Sequence, residues 1–278
     1  MIYLDYQATT PLAPEAREEM LRWLDGAEGP GFGNPHSSHR LGRLAASAVE
    51  VAREQVAELL PPGGRVIFTS GATEALNMAI RGSRAGREGA AMAISGIEHA
   101  AVLRTAEAVT GTLAILPVDG DGLVDPQAEL PEGVALVSVM QVNNEIGTIQ
   151  PVDALGERAR AAGAIFVCDA VQGAGKLPPP AHADMIAISA HKIYGPKGIG
   201  ALWVRDGVEI EPIITGGGQE EDLRSGTLSP ALCAGFGAAA RLAKELQEAD
   251  AAHVAMLWDH ARQLFSGWWL NGSAEHRW

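Results

Sequence analysis

A largely parallel β-sheet with helices on both faces is the fold that this sequence predicts, on two observations and a third that supports them. Seven short apolar runs alternate with longer segments of helical periodicity through most of the chain, which is how successive βαβ units read in sequence. Most of these runs are apolar throughout instead of alternating polar and apolar, as strands covered on both faces are. A hydrophobic fraction of 47% over 278 residues supplies enough apolar surface for a core of that size.

Taken in order, the expected strands are RVIFT (65–69), AMAIS (91–95), TLAIL (112–116), VALVSV (134–139), AIFVC (164–168), MIAIS (185–189) and ALWV (201–204). Helical periodicity fills 73–81, 99–109 and 152–162 between them, and 14–25 and 38–60 before the first strand. After the last strand, 229–265 reads as one long Ala-rich helix, with Ser229 as its cap and Pro230 at its first position. Next comes GWWL (267–270), an apolar, strand-like piece, and four of the six tryptophans (Trp258, Trp268, Trp269, Trp278) fall at this end. An aromatic strand needs a sheet to bury it. The expectation is therefore a large domain over 14–245, with 1–13 and 246–278 as part of a small domain that continues beyond Trp278. The same exposed end predicts low solubility for the chain as it stands.

Charge and cysteine content narrow the function. Lys plus Arg total 21 against 34 Asp plus Glu, a net charge of −13, which argues against a nucleic-acid or anionic-membrane surface. No apolar run approaches the roughly 18 residues of a membrane span, and the start lacks the basic and apolar regions of a signal peptide. Cys168 and Cys233 make neither a disulfide framework nor a four-thiolate zinc site. His36 and His39 have no acidic or thiol partner near in sequence, so no metal is expected there. A cytoplasmic setting follows from these readings.

In a sheet of this kind ligands bind beyond the carboxyl ends of the strands, so the residues just after each run matter most. Three constellations stand there. Thr69-Ser70-Gly71-Ala72-Thr73-Glu74 joins a strand to a helix; its glycine admits a ligand to the backbone, and the helix start presents free N–H groups beside the Thr73 hydroxyl. An ordinary capped turn would look the same in isolation. Asp169 ends an apolar strand, where a carboxylate needs either water or a cationic partner, and Gln172 lies three residues on. Lys192, in Ser189-Ala190-His191-Lys192, ends another; a lysine in a partly desolvated pocket has a lowered pKa and attacks carbonyls, whereas Lys197 reads as a solvated loop lysine. A Schiff-base lysine, an acid for a pyridine nitrogen and a phosphate cup together are what pyridoxal phosphate requires. His99 stands where it would stack on that ring, and the amides of Asn143 and Asn144 follow another strand. GAGKL (173–177) ends like a P-loop, but Leu177 replaces the Ser/Thr and Ala170 the leading glycine.

With these residues in hand, the chain resembles the cysteine desulfurases, a branch of the class V, fold-type I pyridoxal phosphate enzymes. The matching segments are YLDYQATTP (3–11), FGNP (32–35), FTSGATE (68–74), Glu98-His99, VNNEIGT (142–148), DAVQ (169–172), SAHKIYGPKGIG (189–200), GGGQ (216–219) and RSGT (224–227), in family order across almost the whole chain. The resemblance implies that Lys192 holds the cofactor as a Schiff base and acts as acid and base on the substrate α-proton. It implies that Asp169 binds the pyridine nitrogen, that His99 stacks on the ring, and that Gln172 and Asn144 contact its phenolic oxygen or the substrate. Ala72, Thr73, Ser189 and His191 would hold the phosphate. Thr227 would reach the phosphate of a second subunit, so a homodimer is implied. The reaction implied is conversion of L-cysteine to L-alanine, with sulfur passed to an acceptor or iron–sulfur scaffold protein.

The resemblance also sets limits. The family carries a sulfur-accepting cysteine on a mobile loop and an arginine for the substrate carboxylate, both beyond the segments matched here. Cys168 falls in an expected buried strand and Cys233 in a helix, so neither is expected to be the persulfide carrier. Two alternatives follow: a related enzyme such as a selenocysteine lyase or aminotransferase, or an inactive scaffold that lacks the accepting cysteine.

Overall fold

All seven apolar runs enter one sheet. The computed structural model describes residues 2–26 and 29–278 and places the runs as β1 (Gly64–Thr69), β2 (Met92–Ser95), β3 (Leu113–Leu116), β4 (Leu136–Ser138), β5 (Ile165–Asp169), β6 (Met185–Ser189) and β7 (Gly200–Arg205). Their order is β1-β7-β6-β5-β4-β2-β3. β7 is antiparallel to both neighbours, and every other pairing is parallel, so six strands point the same way and release the chain at one edge. The sequence-based expectation of a mainly parallel seven-stranded sheet is met, with β7 as its one reversed member.

Why the runs are apolar on both faces is visible in the packing. Successive residues of a strand point to opposite sides, and here both sides are covered. Phe68, Phe166, Ile186, Ile188 and Trp203 face one core, shared with α1 (Pro14–Leu21), α2 (Arg40–Ala57), α6 (Val152–Ala161) and α7 (Pro230–Leu264). Ile67, Val167, Met185, Ala187 and Leu202 face the other, shared with α3 (Ala72–Gly82), α4 (Arg84–Glu88) and α5 (Ala100–Val109). The result is three layers, helix, sheet and helix.

α2, α4, α5 and α7 begin where a side chain caps them. His39 Nδ1 accepts from the Gly42 N–H at the head of α2, His99 Nδ1 from the Ala101 N–H at the head of α5, and Ser229 Oγ from the Leu232 N–H at the head of α7. His39 thus works as a helix cap. α4 was not foreseen; Ser83 caps it, and five residues are too few for a periodic pattern to show. α1, α3 and α6 begin without a side-chain cap, α3 at Gly71.

α7 changes character along its length. Its buried residues lie between Pro230 and Ala240, where Gly237 lets the helix approach so close that an added Cβ would come 2.8 Å from Ala52 Cα of α2. Beyond that the helix is mostly exposed, Met256 and Leu264 included. The expected strand at 267–270 does not form: no partner strand stands beside it among the described residues, and Trp268 and Trp269 are 78% and 97% exposed. The tail docks by a few backbone bonds instead. His276 C=O accepts from the Ile149 N–H, Gly147 C=O from the Trp278 N–H, and Arg277 lies 4.6 Å from the centre of the Trp258 ring.

Candidate active site

At the carboxyl edge of the sheet, chain segments leaving β1, β2, β4, β5 and β6 enclose a cleft of about 680 Å³. Ala72, Thr73, His99, Asn144, Asp169, Gln172, Ser189, His191 and Lys192 all line it. Thr227 does not; it is exposed on the loop before α7.

One end of the cleft is made of backbone. Gly71 has φ +155° and ψ 174°, a conformation that side-chain-bearing residues avoid, and an added Cβ there would meet open space within 4 Å. It turns the chain from β1 into α3 and leaves the first N–H groups of the helix uncapped, facing the cleft beside Thr73. That end of a helix carries about half a positive charge. Ser189, at the end of β6, and His191 close the far wall. His191 Nδ1 lies 3.1 Å from Thr9 Oγ1, and burial together with Lys192 and Lys197 keeps the imidazole below its usual pKa, so it is neutral at pH 7.

The other end is made of ionisable side chains. Asp169 is only 5% exposed, accepts a hydrogen bond from the Val171 N–H at 3.0 Å, and has no ion-pair partner among the described residues. Burial pushes its carboxyl above the usual carboxylate range, although the Val171 N–H, His99 and Lys192 act the other way. Lys192 sits in a short 3₁₀ turn after β6, and its Nζ donates to the Gln7 carbonyl. Burial pulls this amine below the usual lysine range against the pull of Asp169 and Asp5, which raises the share present as free amine. The following residues hold the turn in place: Tyr194 adopts φ +65°, Thr10 Oγ1 accepts from the Tyr194 N–H, and both the N–H and hydroxyl of Thr10 donate to His191 C=O.

Some of what builds the cleft was not foreseen. Residues 5–10 were noted only as part of a resemblance, yet Asp5, Gln7 and Thr9 line the cleft, and Gln7 C=O takes both Lys192 and Gln172 Nε2. No local pattern marks such a strap, because its partners are far along the chain. Glu98 was noted only as the neighbour of His99. Its carboxyl is buried, with Oε1 accepting from Ser95 Oγ and from the Met140 N–H at 2.8 Å and Oε2 left without a partner. Burial, with Asp169 nearby, pushes it up to about 8. Asn143 organises the turn after β4, its Oδ1 accepting from the Glu145 and Ile146 N–H groups, while Asn144 faces the cleft. The lysine of the failed P-loop, Lys176, is pushed down to about 8 by burial and by Lys192.

These features fit pyridoxal phosphate. The buried Asp169 lacks a cation, which a protonated pyridine nitrogen would supply. The uncapped start of α3 lacks an anion, which a phosphate would supply. Buried Oε1 atoms of Gln7 and Gln172 have no hydrogen-bond partner.

A model of the aminotransferase class-V family matches residues 2–266. The chain belongs to that family. Within it, the chain is 43% identical over 297 residues to a protein named cysteine desulfurase IscS from Shewanella loihica, covering 99% of this chain and 72% of the relative. A solved NifS-like protein superposes with a TM-score of 0.86 at 35% identity, covering 93% of this chain and 74% of that one. A structure described as SspA in complex with cysteine superposes with a TM-score of 0.79 at 38% identity over 86% of this chain and 72% of that one. The cofactor of class-V aminotransferases is pyridoxal phosphate, and the fold is that of the fold-type I enzymes.

Both cysteines of this class-V chain are free and buried. Burial and the carboxylates of Asp169 and Glu98 push the Cys168 thiol well up, and burial with Glu220 pushes Cys233 to about 12. Neither is a thiolate at neutral pH, so neither is a nucleophile.

Proposed function

We propose that this cleft binds pyridoxal phosphate and that the protein is a cysteine desulfurase, converting L-cysteine to L-alanine and handing the sulfur to a thiol. The observation that carries the reading is that Lys192 and a buried Asp169, without an ion-pair partner among the described residues, line one cleft that ends at the uncapped start of α3. Relatives named cysteine desulfurase over nearly the full chain, and a fold neighbour solved with cysteine, point the same way.

Bound there, pyridoxal phosphate supplies an electrophilic carbonyl and an electron sink for the carbanion at the substrate Cα. Lys192 Nζ is the amine that holds it and the base that takes the Cα proton; the Gln7 carbonyl keeps that amine at the mouth of the cleft. Asp169 holds the proton on the ring nitrogen. His99 stacks on the ring; its Nδ1 accepts from the Ala101 N–H, which holds the imidazole in orientation. Gln172 and Asn144 contact the phenolic oxygen or the substrate, and Ala72, Thr73, Ser189 and His191 hold the phosphate. In the overall step the substrate C–S bond breaks, an S–S bond forms on the acceptor thiol, and the thiol proton ends on alanine. That acceptor thiol is neither Cys168 nor Cys233.

A homodimer belongs to this reading, with Thr227 reaching the phosphate of the second copy; its exposure outside the cleft of its own chain supports this. So do a sulfur-acceptor or iron–sulfur scaffold partner and a cytoplasmic setting. The two unpaired thiols support that setting, and no helix among the described residues is long and apolar enough to cross a membrane. The division into a large domain over 14–245, with 1–13 and 246–278 in a smaller one, is supported by the loss of burial along α7 after Ala240.

The test is to load the protein with pyridoxal phosphate, add L-cysteine with a dithiol as acceptor, and measure alanine and sulfide. Equimolar production of both is expected. Cofactor binding without either product would sink the desulfurase reading and leave a class-V protein of other chemistry.

A further inference from the structure

The loop at 215–227, which leads into α7, is held in a costly conformation. Glu220, Glu221 and Asp222 have φ of +50°, +56° and +64°, three consecutive non-glycine residues in the left-handed region. Such backbone is costly for residues that carry a side chain and persists only where its surroundings impose it. Two ion pairs impose it. Glu220, 2% exposed at its side chain, accepts from Arg53 Nη1 and Nη2 at 2.7 Å each and from the Phe68 N–H at 2.6 Å. Four residues on, Arg224 donates from Nε to Glu74 Oε1 at 2.7 Å and from Nη2 to Glu74 Oε2 at 3.3 Å.

Glu74 is in an unexpected place. It lies in the first turn of α3, and its Oε2 accepts from the Ser70 N–H at 2.6 Å, so its carboxylate lines the cleft at the backbone end. A phosphate monoester arriving there brings roughly −1.5 to −2 charges at pH 7. An unpaired carboxylate in that same first turn would repel it. Burial would raise the Glu74 pKa, but Arg224 and Ser70 more than reverse that, so the group is ionised.

We propose that Arg224 is a positioning residue for the cofactor phosphate: by pairing with Glu74 it cancels the carboxylate beside the phosphate cup. The strained turn at 220–222, clamped by Arg53, delivers Arg224 to that carboxylate. Glu74 meanwhile keeps its hydrogen bond to Ser70, which shapes the start of α3. The proposal rests on reading the Gly71–Thr73 turn as the phosphate cup.

The test compares the affinities of the cofactor-free protein for pyridoxal phosphate and for pyridoxal, which lacks the phosphate, by absorbance titration. R224Q should weaken pyridoxal phosphate about tenfold, the effect of leaving one charge uncompensated in a partly desolvated site, and leave pyridoxal unchanged. The double variant R224Q/E74Q should recover most of that loss, because a side-chain amide keeps the bond to Ser70 without the charge. E74Q alone should bind pyridoxal phosphate at least as tightly as the wild type, which keeps the idea testable if R224Q does not fold. The inference is overturned by unchanged affinity in R224Q, by equal loss for both ligands, by absence of rescue in the double variant, or by weaker binding in E74Q. A wild type that binds both ligands equally would remove the phosphate cup itself; that failure shows before any variant is made and takes this inference with it.

Discussion

The two ends of the cleft solve opposite problems. At the phosphate end the attraction comes from backbone dipoles at the start of α3, and the nearby carboxylate of Glu74 is neutralised by Arg224. At the ring end, ionisable groups are buried with few direct partners: Asp169 has one hydrogen bond, Lys192 rests on a carbonyl, and Glu98 has an unpartnered oxygen. At the first end the one carboxylate already has its cation, and the uncapped N–H groups of α3 are what an anion would satisfy. The second holds groups whose pKa values are displaced by burial, and a ligand's charges would relieve them. Under the proposed function, affinity for the phosphate would rest on the first end and the chemistry on the second.

Three further substitutions would break or sharpen that contrast. The largest effect is expected for Lys192→Ala, which removes the amine that follows β6 and is held at the Gln7 carbonyl. Alanine production should vanish, and so should the visible absorption of lysine-bound cofactor. Persistence of that band would show that a different lysine, Lys176 or Lys197, is the attachment point.

Next is Gly71→Ala at the other end. There is room for the methyl group, so any cost is conformational, and forcing φ +155° on alanine should lower stability by about 1–3 kcal/mol. Thermal melting measures this directly. Because the N–H groups would shift, pyridoxal phosphate should bind more weakly while pyridoxal is less affected. A variant that melts and binds like the wild type would mean that the turn is not under strain.

The smallest effect on cofactor binding belongs to Glu98→Gln; its effect is on stability, and it depends on pH. Burial raises the folded carboxyl from 4.5 to about 8, so the folded state holds a proton that the unfolded state has lost. The stability contributed by that proton is full below about pH 4.5 and disappears as pH rises through about 8. The amide of the variant mimics the protonated acid, so its melting advantage over the wild type should grow from pH 5 to pH 8 and then level. A constant difference would show that Glu98 is not titrating there.

How much of this was legible depended on the range of the interaction. Each strand appeared within two residues of its expected place, because burial on both faces is a local property of composition. The residues after the strands were legible for the same reason: a parallel sheet sends every carboxyl end to one edge, so Gly71, Asp169 and Lys192 converge without any need to know the packing. The GWWL run was misread as a strand because an apolar run states a need for cover and says nothing of where cover stands. Glu98 was underrated because its burial depends on β4 and β5, whose placement beside it is not written in its neighbours.

The amino-acid sequence by itself determined the sheet, its mainly parallel sense, the chemical types at its edge and the family resemblance, all of which rest on short-range pattern. Only the tertiary structure decided which carbonyl receives Lys192, 185 residues away, and which carboxylate receives Arg224, 150 residues away. Those pairings have no local trace. The physical reason is that a hydrogen bond or ion pair of this length is set by where helices and strands come to rest, and that is settled by burial of the whole core.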